Sequence, residues 1–247
     1  MTIRVGIGGW TFEPWRGAFY PPGLPHAREL DYASRHVTTI EVNGTFYSSM
    51  SPATYRKWHD ETPDDFVFSL KAPRYAVNRR VLAEAGDSIA RFVASGIDEL
   101  GDKLGPILWQ FAGTKKFDAE DFAAFLKLLP AAAGGRPLRH ALEPRHESFR
   151  NPVFTALARE AGAAIVFADS EDYPMIDEPT ADFTYARLQR GDDGEPTCYP
   201  VAALDGLAEQ ARAWGENGRD AFVYFIHGGK IRAPAAAAAL IDRITDR

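Results

Sequence analysis

The sequence predicts an α/β fold in which eight parallel strands, each followed by a crossover, close into one (β/α)8 barrel. Three observations carry that reading. Strand-like and helix-like segments alternate eight times along 247 residues, with no linker to divide the chain. Nearly every strand-like run stops at a polar or charged side chain, as if the ends converged on one site. Gly6-Ile7-Gly8-Gly9 lacks the glycine spacing of a dinucleotide-binding turn, which argues against an open doubly wound sheet. One barrel domain is therefore expected over residues 1–247.

The first strand, over 3–9, ends in glycines, where the backbone must turn sharply or approach a neighbour closely. An aromatic and proline-rich loop leads to a helix over about 24–36. The β-branched run 38–42 is the second strand and breaks at Asn43-Gly44. Ser51-Pro52 opens a helix, with serine as N-cap and proline in the first turn. The third strand covers 66–71, a helical tract about 81–100, and the fourth strand 106–111. Asp118 caps the next helix, on which Phe122, Phe125, Leu126 and Leu129 make one apolar face. After the fifth strand, 140–143, Asn151-Pro152 starts a helix that Gly162 ends. The sixth strand spans 164–168, and the proline-bearing segment 169–182 lacks periodicity, so an irregular loop is expected there in place of a helix. A seventh strand over 184–188, a helix over 203–214, an eighth strand over 222–226 and an alanine-rich closing helix complete the pattern.

Composition narrows the partners. With 28 basic and 34 acidic residues the net charge is −6, which disfavours broad contact with nucleic acid but permits a local basic pocket. The single cysteine, Cys198, excludes a disulfide framework and a thiolate metal cluster. No apolar run is long enough for a membrane span and the first residues lead into a strand, so a cytoplasmic protein without membrane contact is expected. Nothing in the chain specifies an oligomeric state.

The strand ends supply the candidate site. Glu41 and Asn43 share one face of their strand, Glu143 and Arg145 another, and Tyr185, Arg187 and Gln189 a third. In the eighth strand Val223, Phe225 and His227 fall together as the interior set. Lys71, Arg145 and Arg187 form a cationic floor suited to phosphate or carboxylate, unless Glu41, Glu143 and Asp169 neutralise them in a buried ion-pair network. Glu41 and Glu143 are candidate general acid and base, with His227 as a secondary acid–base group. Asn43 and Gln110 would orient polar groups, and Trp10 and Tyr47 are among the aromatics that could wall the pocket. No cofactor is expected; a divalent-metal site, if present, would draw on Glu143, Asp169, His146 and His227. Gly228-Gly229-Lys230 is similar to a phosphate loop without Walker spacing.

Several separated stretches together resemble the YecE-like family, domain of unknown function 72. They are Gly6 to Trp10, Glu41-Val42-Asn43-Gly44-Thr45-Phe46-Tyr47, Phe68 to Arg74, Leu104 to Gln110, Glu143-Pro144-Arg145-His146 and Ala168-Asp169-Ser170. The resemblance covers nearly the whole chain and implies a single barrel of the TIM type. It supplies no activity. The family's barrel is similar, at the level of fold, to metal-dependent sugar isomerases and abasic endonucleases. This chain departs from the family where Arg187-Leu188-Gln189-Arg190 replaces Arg-Leu-His-Gly and Tyr224-Phe225-Ile226-His227 replaces Tyr-Phe-Asn-Asn.

The leading expectation is an enzyme acting on a small anionic or sugar-like substrate at the strands' C-terminal face, a hydrolase first and an isomerase next. The alternatives are a nucleic-acid repair or processing enzyme, and a metabolite-binding protein without catalysis.

Overall fold

The computed structural model describes residues 1–226 and 229–245. Its strands are β1 (Ile3–Gly8), β2 (Thr39–Val42), β3 (Val67–Lys71), β4 (Leu104–Gln110), β5 (His140–Glu143), β6 (Ala164–Ile165), β7 (Phe167–Asp169), β8 (Phe183–Leu188) and β9 (Asp220–Phe225). All pair in parallel, in the order β6-β5-β4-β3-β2-β1-β9-β8-β7, a barrel of the TIM type. β6 and β7 are two halves of one stave. The first half pairs with β5 and the second with β8, so the break at Val166 lets one stave serve both neighbours. Val166 N donates to Leu142 O at 2.9 Å and keeps the break bonded.

The strands bury both faces, as the staves of a parallel barrel must. Val67, Leu108, Ala141, Val166, Phe183, Tyr185, Phe222 and Tyr224 meet in one cluster inside the barrel. Ile7, Ile40, Phe68, Leu70, Trp109, Leu142, Val223 and Phe225 belong to the larger cluster packed under the helices. The interior is not wholly apolar. Thr39 Oγ1 lies 2.9 Å from Tyr224 Oη, and Ser69 Oγ lies 2.8 Å from Tyr185 Oη, so hydrogen bonds cross the barrel between strands that are not neighbours.

The last strand corrects the expected interior set. Phe222 and Tyr224 point inward, while Val223 and Phe225 face the helices. The run Phe222-Val223-Tyr224-Phe225-Ile226 is apolar on both faces, so period-two alternation carried no signal there. His227, the candidate grouped with the outward residues, lies outside the described residues.

Local capping chemistry sets the helix starts as expected. Ser51 Oγ accepts from Thr54 N, Asp118 from the N–H groups of Glu120 and Asp121, and Asn151 Oδ1 from Val153 N. Two expected helices are broken. The first crossover is a 3-10 turn, His26–Arg28, running into the short helix Glu29–Ala33. The tract after β3 divides into Leu82–Glu84, Gly86–Val93 and Ile97–Lys103, with left-handed Gly96 (φ 96°) ending its α-helical part. No helix follows β7 before β8 among the described residues, in line with the aperiodic segment. A small hairpin joining Ala132–Ala133 to Arg136–Pro137 was not expected, although Gly134-Gly135 (φ 55° and 77°) is the turn chemistry it needs.

Candidate functional site

Two carboxylates and one guanidinium form the centre of the strands' C-terminal face. Glu41 from β2 and Glu143 from β5 are fully buried, and Arg187 from β8 is 2% exposed between them. Arg187 Nη1 donates to both oxygens of Glu143 (2.6 and 2.7 Å), while Nε and Nη2 donate to the two oxygens of Glu41 (3.0 and 3.1 Å). The remaining lone pairs are also used. Tyr185 Oη (2.8 Å) and Asn43 Nδ2 (3.1 Å) donate to Glu41, and Gln110 Nε2 donates to Glu143 at 2.5 Å. Burial pushes the Glu143 carboxyl up, but Arg187 and Arg145 outweigh it and hold that group below its ordinary range. Burial likewise opposes the Arg187 charge, and Glu143 with Glu41 overcomes it and raises its pKa. The cluster fits the ion-pair reading of the strand-end charges as far as Arg187 is concerned.

Above this cluster opens a cavity of about 550 Å³, lined in part by Asn43, Lys71, Gln110, Arg145, Arg187 and Gln189. Three of its polar groups are not consumed by the network. The Lys71 ammonium makes no hydrogen bond or ion pair among the described residues, and its Nζ sits 4.4 Å over the Phe46 ring. Burial, and then the adjacent Arg187 charge, lower its pKa to about 8. Arg145 stacks 4.2 Å over Tyr173 and reaches Glu143 at only 3.5 Å, and its buried Nε has no partner among the described residues. Gln189 Nε2 is buried and likewise unpartnered among the described residues. Unsatisfied buried donors are costly and mark places where something else supplies the acceptor.

Eight of the expected site residues therefore meet here: Glu41, Asn43, Tyr47, Lys71, Gln110, Glu143, Arg145 and Arg187. Tyr47 is 70% exposed on the rim. Asp169 does not join them. It shares strand parity with the outward Phe167, pairs with Arg190 at 2.9 Å, and burial raises its carboxyl pKa. Trp10 packs edge-on against Trp58 (5.1 Å) and borders a neighbouring hollow of about 300 Å³. The sequence placed Tyr185 and Gln189 on the face of Arg187 without giving them a role, and gave none to Phe46.

No three His, Cys, Asp or Glu side chains converge as a metal-holding group among the described residues. His146, one of the residues on which a metal site would draw if present, turns Nδ1 toward Ser148 and caps a local turn. Cys198 is buried with its Sγ 3.3 Å from Gly229 O, and burial raises its thiol pKa to about 11, away from the range of a reactive thiolate. No helix among the described residues is long and apolar enough to cross a membrane.

Fold and site together define an α/β barrel protein with a polar, cation-bearing cavity at the C-terminal ends of its strands. Residues 4–247 match the family described as Protein of unknown function DUF72, and the chain belongs to that family. UPF0759 protein YecE of Escherichia coli (strain K12) is 26% identical over 147 residues, 60% of this chain and 50% of that protein. UPF0759 protein YunF of Bacillus subtilis (strain 168) is 27% identical over 183 residues, 72% of this chain and 61% of that protein. The chain thus spans between half and two thirds of the length of these curated relatives. A DUF72 family protein from Thermotoga maritima MSB8 superposes with a TM-score of 0.76 at 23% identity, covering 98% of this chain and 97% of that one. D-Psicose 3-epimerase from Clostridium cellulolyticum H10 superposes with a TM-score of 0.54 at 14% identity over 99% and 98% of the two chains. At these identities the likeness is one of fold.

Proposed function

We propose that this chain is an enzyme that binds a small anionic substrate in the cavity at the C-terminal face. The supporting observation is the division of the three strand-end cations: Arg187 is spent on Glu41 and Glu143, whereas Lys71 and Arg145 line the cavity with donors to spare. In this reading Arg145 and Lys71 hold the anion, and Gln110, Asn43 and Gln189 set its orientation. Glu41 and Glu143 position Arg187 rather than exchanging protons with the substrate, because their oxygens are occupied and Glu143 is held in its charged form. Lys71 is then the group best suited to exchange a proton near neutral pH. Hydrolysis, the first expectation, and isomerisation both require such a group. A barrel with its site at this face is the usual setting for an enzyme.

A thermal-shift comparison tests the reading. Phosphate and small sugar phosphates are expected to raise the midpoint of the wild type and not that of Arg145→Ala, a loss of about 1.5–3 kcal/mol of binding for one charged hydrogen-bonding group. Equal shifts in both proteins would remove Arg145 from the site. A ligand that binds but is recovered unchanged after long incubation would favour a binding protein without catalysis. Nucleic-acid processing draws support from a second cavity that shares Asn78 and Ala112 with the first and is lined by Arg80 and Lys116. Salt-sensitive binding of an oligonucleotide would favour it.

A further inference from the structure

Two lysines are buried among the described residues, and their surroundings differ. Lys103, 4% exposed, gives its Nζ to His59 O (2.6 Å), Thr62 O (2.8 Å) and Thr62 Oγ1 (3.3 Å). Three donors meet three acceptors, as a structural ammonium requires. Lys71, 6% exposed, meets none among the described residues and lies against an aromatic ring. The groups acting on it are Arg187 from β8, Glu41 from β2, Glu143 from β5 and Arg145 from the loop just after β5. Both carboxylates are diverted to Arg187 and form no ion pair with Lys71. The network thereby withholds from Lys71 the counter-ion that would keep it an ordinary ammonium. An amine desolvated beside other cations is in the environment that activates lysine as a nucleophile.

We propose that Lys71 is a nucleophilic amine that forms an imine with the carbonyl carbon of a small 2-oxo acid whose carboxylate is held by Arg145. The inference rests on the reading of the cavity as an anion site and adds the chemistry performed there. The lone pair of neutral Nζ forms the C–N bond as the carbonyl π bond breaks, and the proton lost by nitrogen passes to the carbonyl oxygen through solvent in the cavity. The carbinolamine hydroxyl then takes up a second proton and leaves as water, giving a protonated C=N bond. The sum is carbonyl compound, amine and one proton going to protonated imine and water, with no oxidant or reductant needed.

The test uses the whole wild-type chain at pH 8 with glyoxylate and sodium cyanoborohydride, which reduces an imine to a stable secondary amine, followed by peptide mass mapping. About half of Lys71 is neutral at that pH, given its pKa of about 8, against roughly 0.4% of an ordinary lysine. Lys71 is therefore expected to be modified at least tenfold faster than the exposed Lys57, Lys116 and Lys127, which lie outside the cavity, even after its lower basicity is allowed for. Added sulfate should slow modification of Lys71 alone, and Lys71→Arg should remove the fast phase. Modification of Lys71 no faster than of the exposed lysines overturns the proposal, and this comparison is internal to the wild type, so it survives a variant that fails to fold. Calorimetry of sulfate binding on the same preparation separates the two levels. Sulfate bound without imine trapping refutes the imine and leaves the anion site standing, whereas neither signal refutes both.

Discussion

Replacing Arg187 with methionine is expected to cost about 3–5 kcal/mol of stability at pH 8, the penalty of leaving buried charges without their partner. Arg187 makes four hydrogen bonds to two carboxylates that have no access to solvent. Methionine fills much of the volume and supplies no donor, so the two buried carboxylates lose their shared counter-charge and keep only Tyr185, Asn43, Gln110 and the more distant Arg145. The pH dependence follows from the signs. In the wild type Glu143 titrates below its unfolded value, so its contribution is present above about pH 4.3 and is lost as pH falls through the lower folded value. In the variant the largest charge opposing burial at Glu143 is gone and only Arg145, Gln110 and Lys71 still act against it, so that carboxyl rises above its wild-type value and the variant loses stability relative to wild type as pH rises. The gap between the two proteins should therefore be small near pH 5 and large at pH 8, as read from urea unfolding at both. A variant within about 1 kcal/mol of wild type at pH 8 would show that the guanidinium does not compensate these carboxylates.

Gly6→Ala should be comparably severe for a different reason. A Cβ at Gly6 would stand 1.8 Å from Thr39 O, the partner strand's backbone at the position where β1 and β2 are in register. Thr39 cannot retreat freely, because its Oγ1 bonds Val67 O at 2.7 Å and contacts Tyr224 Oη. The cost should reach the upper part of the overpacking range, about 3 kcal/mol. Gly8→Ala is the control. Its added methyl would meet Asn43 Nδ2 at 3.1 Å and Ile226 Cδ1 at 3.3 Å, side-chain atoms that can shift. Denaturation midpoints that fall equally for both variants would contradict the assignment of Gly6 to a close strand approach.

These two positions illustrate what the sequence could and could not convey. The Gly-rich end of β1 announced a close approach, but only the register with β2 shows that Gly6 is the residue pressed against Thr39. Helix starts at Ser51, Asp118 and Asn151 were legible because the cap and the amide it satisfies lie within three residues. The shared faces of Glu41 with Asn43 and of Tyr185 with Arg187 were legible because polar side chains alternate there with apolar ones. The split stave at Val166 and the orientation of β9 were not, since both runs are apolar throughout and either face reads as core. Asp169 and Trp10 end or follow strands as the true cavity residues do, and only the path of the chain turns them elsewhere. Which of three similar cations would be consumed by the carboxylates depended on side-chain reach across the barrel, a tertiary property with no local signature.

The central claim, an anion site in which Lys71 and Arg145 are the open cations, is tested most directly by calorimetric titration of sulfate between pH 6.5 and 9.5. Sulfate keeps its charge over that interval, so any change in affinity belongs to the protein. Lys71 carries its charge below its pKa of about 8 and loses it above. Affinity should therefore be highest below pH 8 and fall as pH rises past it in the wild type, and be weaker and flat across that range in Lys71→Met. An affinity that does not change with pH in the wild type, or no sulfate binding at all, would contradict the account.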